Sequence, residues 1–137
     1  MLPRLQALFD EVYRRPDDDD ARLVLSDALQ EEGDPRGLFI ALQFARARRT
    51  ATPAMRLNEE ALQAQHWRAW VPKHAELVDD EALRFDRGFL SSARVAVTAS
   101  GGDDPAWSTV ESLTCAPVER GSTFLRLACQ RFTYYEF

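Results

Sequence analysis

The chain has 137 residues, a net charge of -5 at pH 7, 45% hydrophobic residues and 28% charged residues. This length and composition are typical of one soluble globular domain, which we expect to span residues 1–137. The acidic balance argues against nucleic acid as a partner, because phosphate attracts basic surfaces. No apolar run is long enough to cross a membrane, and two cysteines, Cys115 and Cys129, make no disulfide framework, so we predict a cytoplasmic protein.

The first predicted element is an amphipathic helix over residues 2–15. Its apolar face consists of Leu5, Leu8, Phe9 and Val12. Pro16 follows and ends the pattern, because the residue before a proline is disfavoured in a helix. We expect the helical part of the domain to extend from here to residue 71.

Residues 16–49 predict two further helices joined by a very short corner. An acidic run, Asp17 to Asp20, precedes the first of them, where carboxylates accept hydrogen bonds from free backbone amides. We expect Gly33 to end that helix in a left-handed conformation. Asp34 then caps the next helix and Pro35 takes its first position, so almost no linker remains between the two helices.

Each helix of the corner carries an apolar stripe that predicts a buried face. The stripes consist of Ala21, Val24, Leu25 and Ala28 in the first helix and of Leu38, Phe39, Leu42 and Ala45 in the second. Arg46, Arg48 and Arg49 close the second helix near the negative end of its dipole. Such a cluster is typical of a helix end, and binding to an acidic partner or to nucleic acid is the alternative role for it.

The stretch RLVLSDALQEEGDPRGLFIALQ, residues 22–43, resembles the signature of the bacterial repeat-companion domain, a family found beside leucine-rich and other repeats. The matching positions are Arg22, Leu23, Val24, Asp27, Leu29, Glu31, Gly33, Asp34, Pro35, Arg36, Phe39, Ile40, Leu42 and Gln43. The departures are Leu25 for Tyr, Ser26 for Ala, Ala28 for Trp and Leu38 for Glu. The resemblance implies a fold but no activity.

Beyond the corner the sequence predicts one more helix, followed by strands. Thr52 and Pro53 predict the start of a polar helix that runs to about Trp70, with Met55, Leu62 and Ala69 inward. Asp86-Arg87-Gly88 then predicts a turn between two short strands. Asp104-Pro105 is typical of the start of another short helix.

The C-terminal part, residues 80–137, is expected to be rich in β-structure. Val110 to Cys115 has the apolar spacing of a leucine-rich-repeat strand, although one match is not an array. The last eleven residues, LACQRFTYYEF, favour a final strand. The sequence therefore predicts an α+β fold: an N-terminal bundle of three or four helices packed on a small C-terminal antiparallel sheet with one leucine-rich-repeat-like strand.

No assembled catalytic or metal-binding pattern is present. The aspartate run lacks the alternation of a calcium loop, and the soft ligands His66, His74, Cys115 and Cys129 match no zinc spacing, so we expect no metal or cofactor. Asp27 lies near a helix C-terminus, where a carboxylate is unfavourable. Asp27 either pairs with Arg22 or Arg36 or is simply exposed. We expect the residues Asp27, Gly33, Asp34, Pro35 and Arg36 to have structural roles in the corner.

These features favour a non-enzymatic protein-interaction or adaptor domain, whose partner is another protein or a second copy of the chain. We expect its interaction surface at Trp107, Tyr134, Tyr135 and Phe137, where a sheet that ends early would expose an edge. One alternative is a small hydrolase that assembles Asp27, a histidine and an arginine from distant positions. The other is an acidic inhibitor or immunity-type protein that covers a basic target.

Overall fold

The computed structural model describes residues 2–72, 77–96 and 104–116. The elements in chain order are α1 (Pro3–Arg14), α2 (Asp19–Glu31), α3 (Pro35–Ala47), α4 (Pro53–His66), a 3₁₀ helix (Trp67–Trp70), β1 (Leu77–Asp86), β2 (Phe89–Ala96), a second 3₁₀ helix (Pro105–Thr109) and β3 (Ser112–Ala116). Of the described residues, those from 2 to 70 and from 86 to 89 form one compact unit, the helical unit, and the others form a second, the sheet unit. The α+β class is confirmed, with the helices N-terminal and the sheet C-terminal.

Three helices begin at side-chain caps, as predicted. The Asp18 carboxylate accepts hydrogen bonds from the backbone amides of Asp20 and Ala21 at the start of α2. Asp34 accepts from the Arg36 amide at 2.9 Å at the start of α3, with Pro35 in the first helical turn. The Thr52 hydroxyl accepts from the Met55 amide at 3.2 Å at the start of α4.

The ends of α2 and α3 share one geometry. Gly33 has a φ of 74°, its amide donates to the Gln30 carbonyl, and the Asp34 amide donates to the Leu29 carbonyl. Arg49 has a φ of 59°, and the amides of Arg49 and Thr50 make the equivalent two bonds at the end of α3. Both ends are Schellman motifs, which use a left-handed residue to satisfy the last helical carbonyls. The predicted left-handed conformation of Gly33 is confirmed.

The helical unit buries its apolar faces where α2 packs against α1 and α3, and α3 packs against α4. Its core contains Leu5, Phe9, Val12, Leu25, Ala28, Leu29, Ile40, Phe44 and Phe89. The prediction that Val24, Leu38 and Ala69 point inward is wrong, because all three are exposed. The buried arc of α2 instead includes Arg22 and Ser26, and that of α3 includes Arg36 and Gln43. These polar residues shift the arcs away from the faces that apolar spacing alone indicates.

The sheet has three described strands in the order β1-β2-β3 and is mixed. The prediction of a wholly antiparallel sheet is wrong for β3, which runs parallel to β2 with Ser92 opposite Ser112. A parallel neighbour needs a long crossover, and the described part of the connection between β2 and β3 contains the second 3₁₀ helix. β1 and β2 are joined by Arg87 and Gly88, which both have positive φ, as a type I′ hairpin turn requires.

The sheet unit has a small core of its own. Its buried side chains include Leu83, Leu90, Ala93, Val95, Trp107, Val110 and Leu113. The Thr109 hydroxyl donates to the Leu90 carbonyl at 2.9 Å, and the Glu111 amide donates to the Ser91 carbonyl at 2.9 Å. These two bonds attach the second 3₁₀ helix and the start of β3 to β2.

Candidate functional site

Two arginines are almost completely buried in the helical unit. Arg22 of α2 is 2% exposed and Arg36 of α3 is 8% exposed. Both belong to the stretch that organises the corner, and both lie against the hairpin turn Asp86–Phe89. Burial of two guanidinium groups is unusual, since a charge removed from water must be compensated by hydrogen bonds or by other charges.

Arg22 binds main-chain oxygens. One of its terminal nitrogens donates to the Asp86 carbonyl at 2.8 Å and to the Arg87 carbonyl at 3.4 Å. The other donates to the Pro16 carbonyl at 2.6 Å. The guanidinium carbon also lies 5.2 Å from the centre of the Phe89 ring. Arg22 thus connects the turn to the segment that precedes α2.

Arg36 also lies against the aromatic residues of the helical unit. Its guanidinium carbon is 4.5 Å from the centre of the Phe89 ring and 5.2 Å from that of Phe9, and one terminal nitrogen donates to the Gly88 carbonyl at 3.4 Å. Burial lowers the pKa of Arg36, and nearby Tyr13 and Asp34 partly offset that effect. The faces of the rings provide the partial negative charge that a buried cation needs.

Gln43 of α3 completes the set. Its side-chain oxygen accepts the Gly88 amide at 2.7 Å, and its side-chain nitrogen donates to the Glu59 carboxylate at 3.1 Å. We call Arg22, Arg36 and Gln43 the turn clasp, because all three side chains bind main-chain atoms of the turn Asp86–Phe89. A Cβ atom on Gly88 would lie 2.1 Å from Cγ1 of Ile40, so only glycine fits this close to α3.

Arg87 attaches the outside of the turn. Its guanidinium forms ion pairs with Asp19 at the start of α2 and with Asp86. Burial works against the charged form, but the hydrogen bonds to both carboxylates outweigh it and raise the pKa of Arg87. One carboxylate of the predicted acidic run therefore pairs with the turn, whereas Asp18 caps the helix.

The structure distinguishes between the two alternatives for Asp27. Asp27 is exposed and, among the residues that are described, has no ion-pair partner. Of the two alternatives for Asp27, exposure is therefore the one observed. Arg22 and Arg36, its expected partners, bind the turn instead. Sequence spacing could not show this, because the turn lies 64 residues beyond Arg22.

The predicted interaction residues divide into two groups. Trp107 is 1% exposed, so its ring belongs to the core of the sheet unit and is not available to a partner. That part of the predicted surface needs correction: Trp107 lies within the capped 3₁₀ helix Pro105–Thr109 and is one of its buried residues. Tyr134, Tyr135 and Phe137 lie outside the described residues.

The hydrolase alternative requires Asp27, a histidine and an arginine in one place. Asp27 bonds to neither His66 nor Arg36 in the described part of the chain, and the His66 ring lies 5.6 Å from the Trp70 ring. No three His, Cys, Asp or Glu side chains among the described residues are placed to hold a metal ion. No helix within the same residues has the length and apolar character needed to span a bilayer.

The chain was compared with known proteins at three levels. No family model, no curated protein and no solved structure matches it.

Proposed function

We propose that the chain is a non-enzymatic interaction or adaptor domain that binds another protein or a second copy of itself. The charged residues of the corner support this proposal, because they form structural contacts within the helical unit and are not grouped as a catalytic site would require. Arg22 and Arg36 bind the hairpin turn, and Asp34 caps α3. The resemblance to domains that accompany repeats favours the same role.

The observation that carries the proposal is the outward position of two large apolar side chains on the corner. Val24 of α2 is 52% exposed and Leu38 of α3 is 38% exposed. They lie on two helices that pack against each other, whereas the other exposed large apolar side chains among the described residues, Leu2 and Leu57, lie outside these two helices. Each of the two costs free energy in water that a partner surface would recover. Leu38 stands where the resembling signature has Glu, so an acidic side chain at this position is compatible with such a fold.

The experiment compares three forms of the purified 137-residue chain: the wild type, the double variant Val24→Glu/Leu38→Glu and the control Leu57→Glu. Leu57 of α4 is at least as exposed, so the control adds the same chemistry elsewhere on the helical unit. Sedimentation measures self-association, and quantitative cross-linking in cells measures other partners. We expect the double variant to lose association at least about tenfold and the control to keep it.

Equal association of all three forms would refute the proposed surface. A wild type that is monomeric and cross-links to nothing, but turns over a substrate in a hydrolase panel, would refute the adaptor function itself. Capture of a single basic protein that tolerates both substitutions would favour the inhibitor alternative.

A further inference from the structure

The helix α4 is attached to the rest of the helical unit differently from its neighbours. Its only buried side chain is that of Glu59, which is 3% exposed, whereas α1, α2 and α3 each bury several large apolar side chains. No residue of α4 belongs to the apolar core of this unit as described. The apolar residues Met55 and Leu62 of α4 are only half-buried, so burial of apolar surface stabilises α4 less than it stabilises its neighbours.

The one buried side chain of α4 is held by polar contacts with α3. The Glu59 carboxylate lies 2.8 Å from Nε of Arg46 and accepts from the Gln43 side chain at 3.1 Å, and Glu60 lies 3.7 Å from the same arginine. The stacking of Trp70 on Phe39, with centroids 4.6 Å apart, fixes the segment just beyond α4. Removing a carboxylate from water is unfavourable. When α4 opens, the Glu59 carboxylate is hydrated again, and this lowers the free energy of opening.

Gln43 links this helix to the hairpin turn. An amide side chain has one accepting oxygen and one donating nitrogen, so the two ends cannot be exchanged without losing both bonds. The Glu59 carboxylate requires the nitrogen, which directs the oxygen to the Gly88 amide. When α4 leaves, Gln43 loses its bond to Glu59, and only the Gly88 amide still favours this orientation of its side chain.

From these contacts we infer that α4 is a detachable helix. It opens as a unit while α1, α2 and α3 stay folded, and its opening weakens the hydrogen bond between Gln43 and Gly88. The state of α4 is thus transmitted to the turn Asp86–Phe89 through Gln43. Elements with few buried apolar contacts open at lower free energy than the core on which they pack, and a detachable helix requires this property.

The test is native-state amide hydrogen exchange of the 137-residue chain, measured by NMR residue by residue. We expect the amides of α4 to exchange at least about tenfold faster than the slowest amides of α2 and α3. The variant Arg46→Gln removes the cation that faces Glu59 and should accelerate exchange of α4 and of Gly88 together. Arg48→Gln removes an equivalent charge from the same helix end, but Arg48 lies over the Phe44 ring, so this control should leave both unchanged.

Two outcomes would overturn the inference. If α4 in the wild type exchanges as slowly as α2, it opens only with global unfolding and is not detachable. If Arg46→Gln accelerates α4 but the Gly88 amide keeps its full protection, the coupling through Gln43 does not exist.

Discussion

Two glycines with nearly the same backbone conformation allow steric and backbone effects to be separated. Gly33 has a φ of 74° and Gly88 a φ of 85°, so an L-residue at either position is strained. A Cβ atom on Gly33 would meet nothing within 4 Å, whereas one on Gly88 would lie 2.1 Å from Cγ1 and 2.9 Å from the Cα of Ile40. Gly33→Ala therefore tests strain alone, and Gly88→Ala tests strain together with a clash.

The expected losses of stability follow from these distances. Left-handed strain costs about 1–2 kcal/mol, and the lower entropy of the unfolded alanine chain recovers part of it, which leaves about 1 kcal/mol for Gly33→Ala. Overpacking against Ile40 adds about 1–3 kcal/mol, so Gly88→Ala should lose about 2–4 kcal/mol. For a chain of this size each kcal/mol corresponds to about 3–5 °C in Tm.

Urea unfolding followed by far-UV circular dichroism measures both variants. Replacing Ile40 by Ala in the Gly88→Ala background should recover part of the extra loss, because the nearest atom is then removed; a double-mutant cycle isolates that coupling. Equal losses at the two glycines would refute the close approach of the turn to α3. A Gly33→Ala protein as stable as the wild type would refute the left-handed end of α2.

Two further predictions concern the buried arginines and metal. Arg36→Lys keeps the charge but loses the flat guanidinium that faces Phe9 and Phe89, so the free energy of unfolding should fall by about 1–3 kcal/mol. The control Arg4→Lys, at an exposed position, should change the free energy of unfolding by less than about 0.5 kcal/mol. Equal effects of the two substitutions would show that the rings contribute nothing. A chelator should leave the thermal transition of the purified protein unchanged, because none of the described residues form a metal-ligand cluster, and a stoichiometric metal in elemental analysis would contradict this.

The parts of the fold that sequence predicts correctly are those set by short-range backbone chemistry. A capping side chain, a proline in the first turn and a glycine at a left-handed position act within about four residues, so their letters are sufficient. The starts of α3 and α4, the end of α2 and the hairpin turn at Arg87-Gly88 were all predictable on this basis.

The errors arise where polar residues are buried or where pairing is distant. Apolar spacing treats Arg22, Ser26, Arg36 and Gln43 as surface positions, yet they lie on the packed arcs of α2 and α3. The direction of β3 depends on the connection between β2 and β3, and no local pattern fixes its sense relative to β2. The exposure of Val24 and Leu38 was missed because polar residues occupy the buried arcs of α2 and α3.

The turn clasp shows why arginine and glutamine, rather than other polar residues, occupy the buried positions. A tight turn pressed against helices presents carbonyls and amides that cannot reach water, and each must find a partner. A guanidinium has five donors, which lets Arg22 bind the carbonyls of Asp86, Arg87 and Pro16 at once. Gln43 alone of the three has an acceptor, and it is the residue that takes the Gly88 amide. The donor and acceptor pattern of the turn thus matches the side chains that α2 and α3 bring to it.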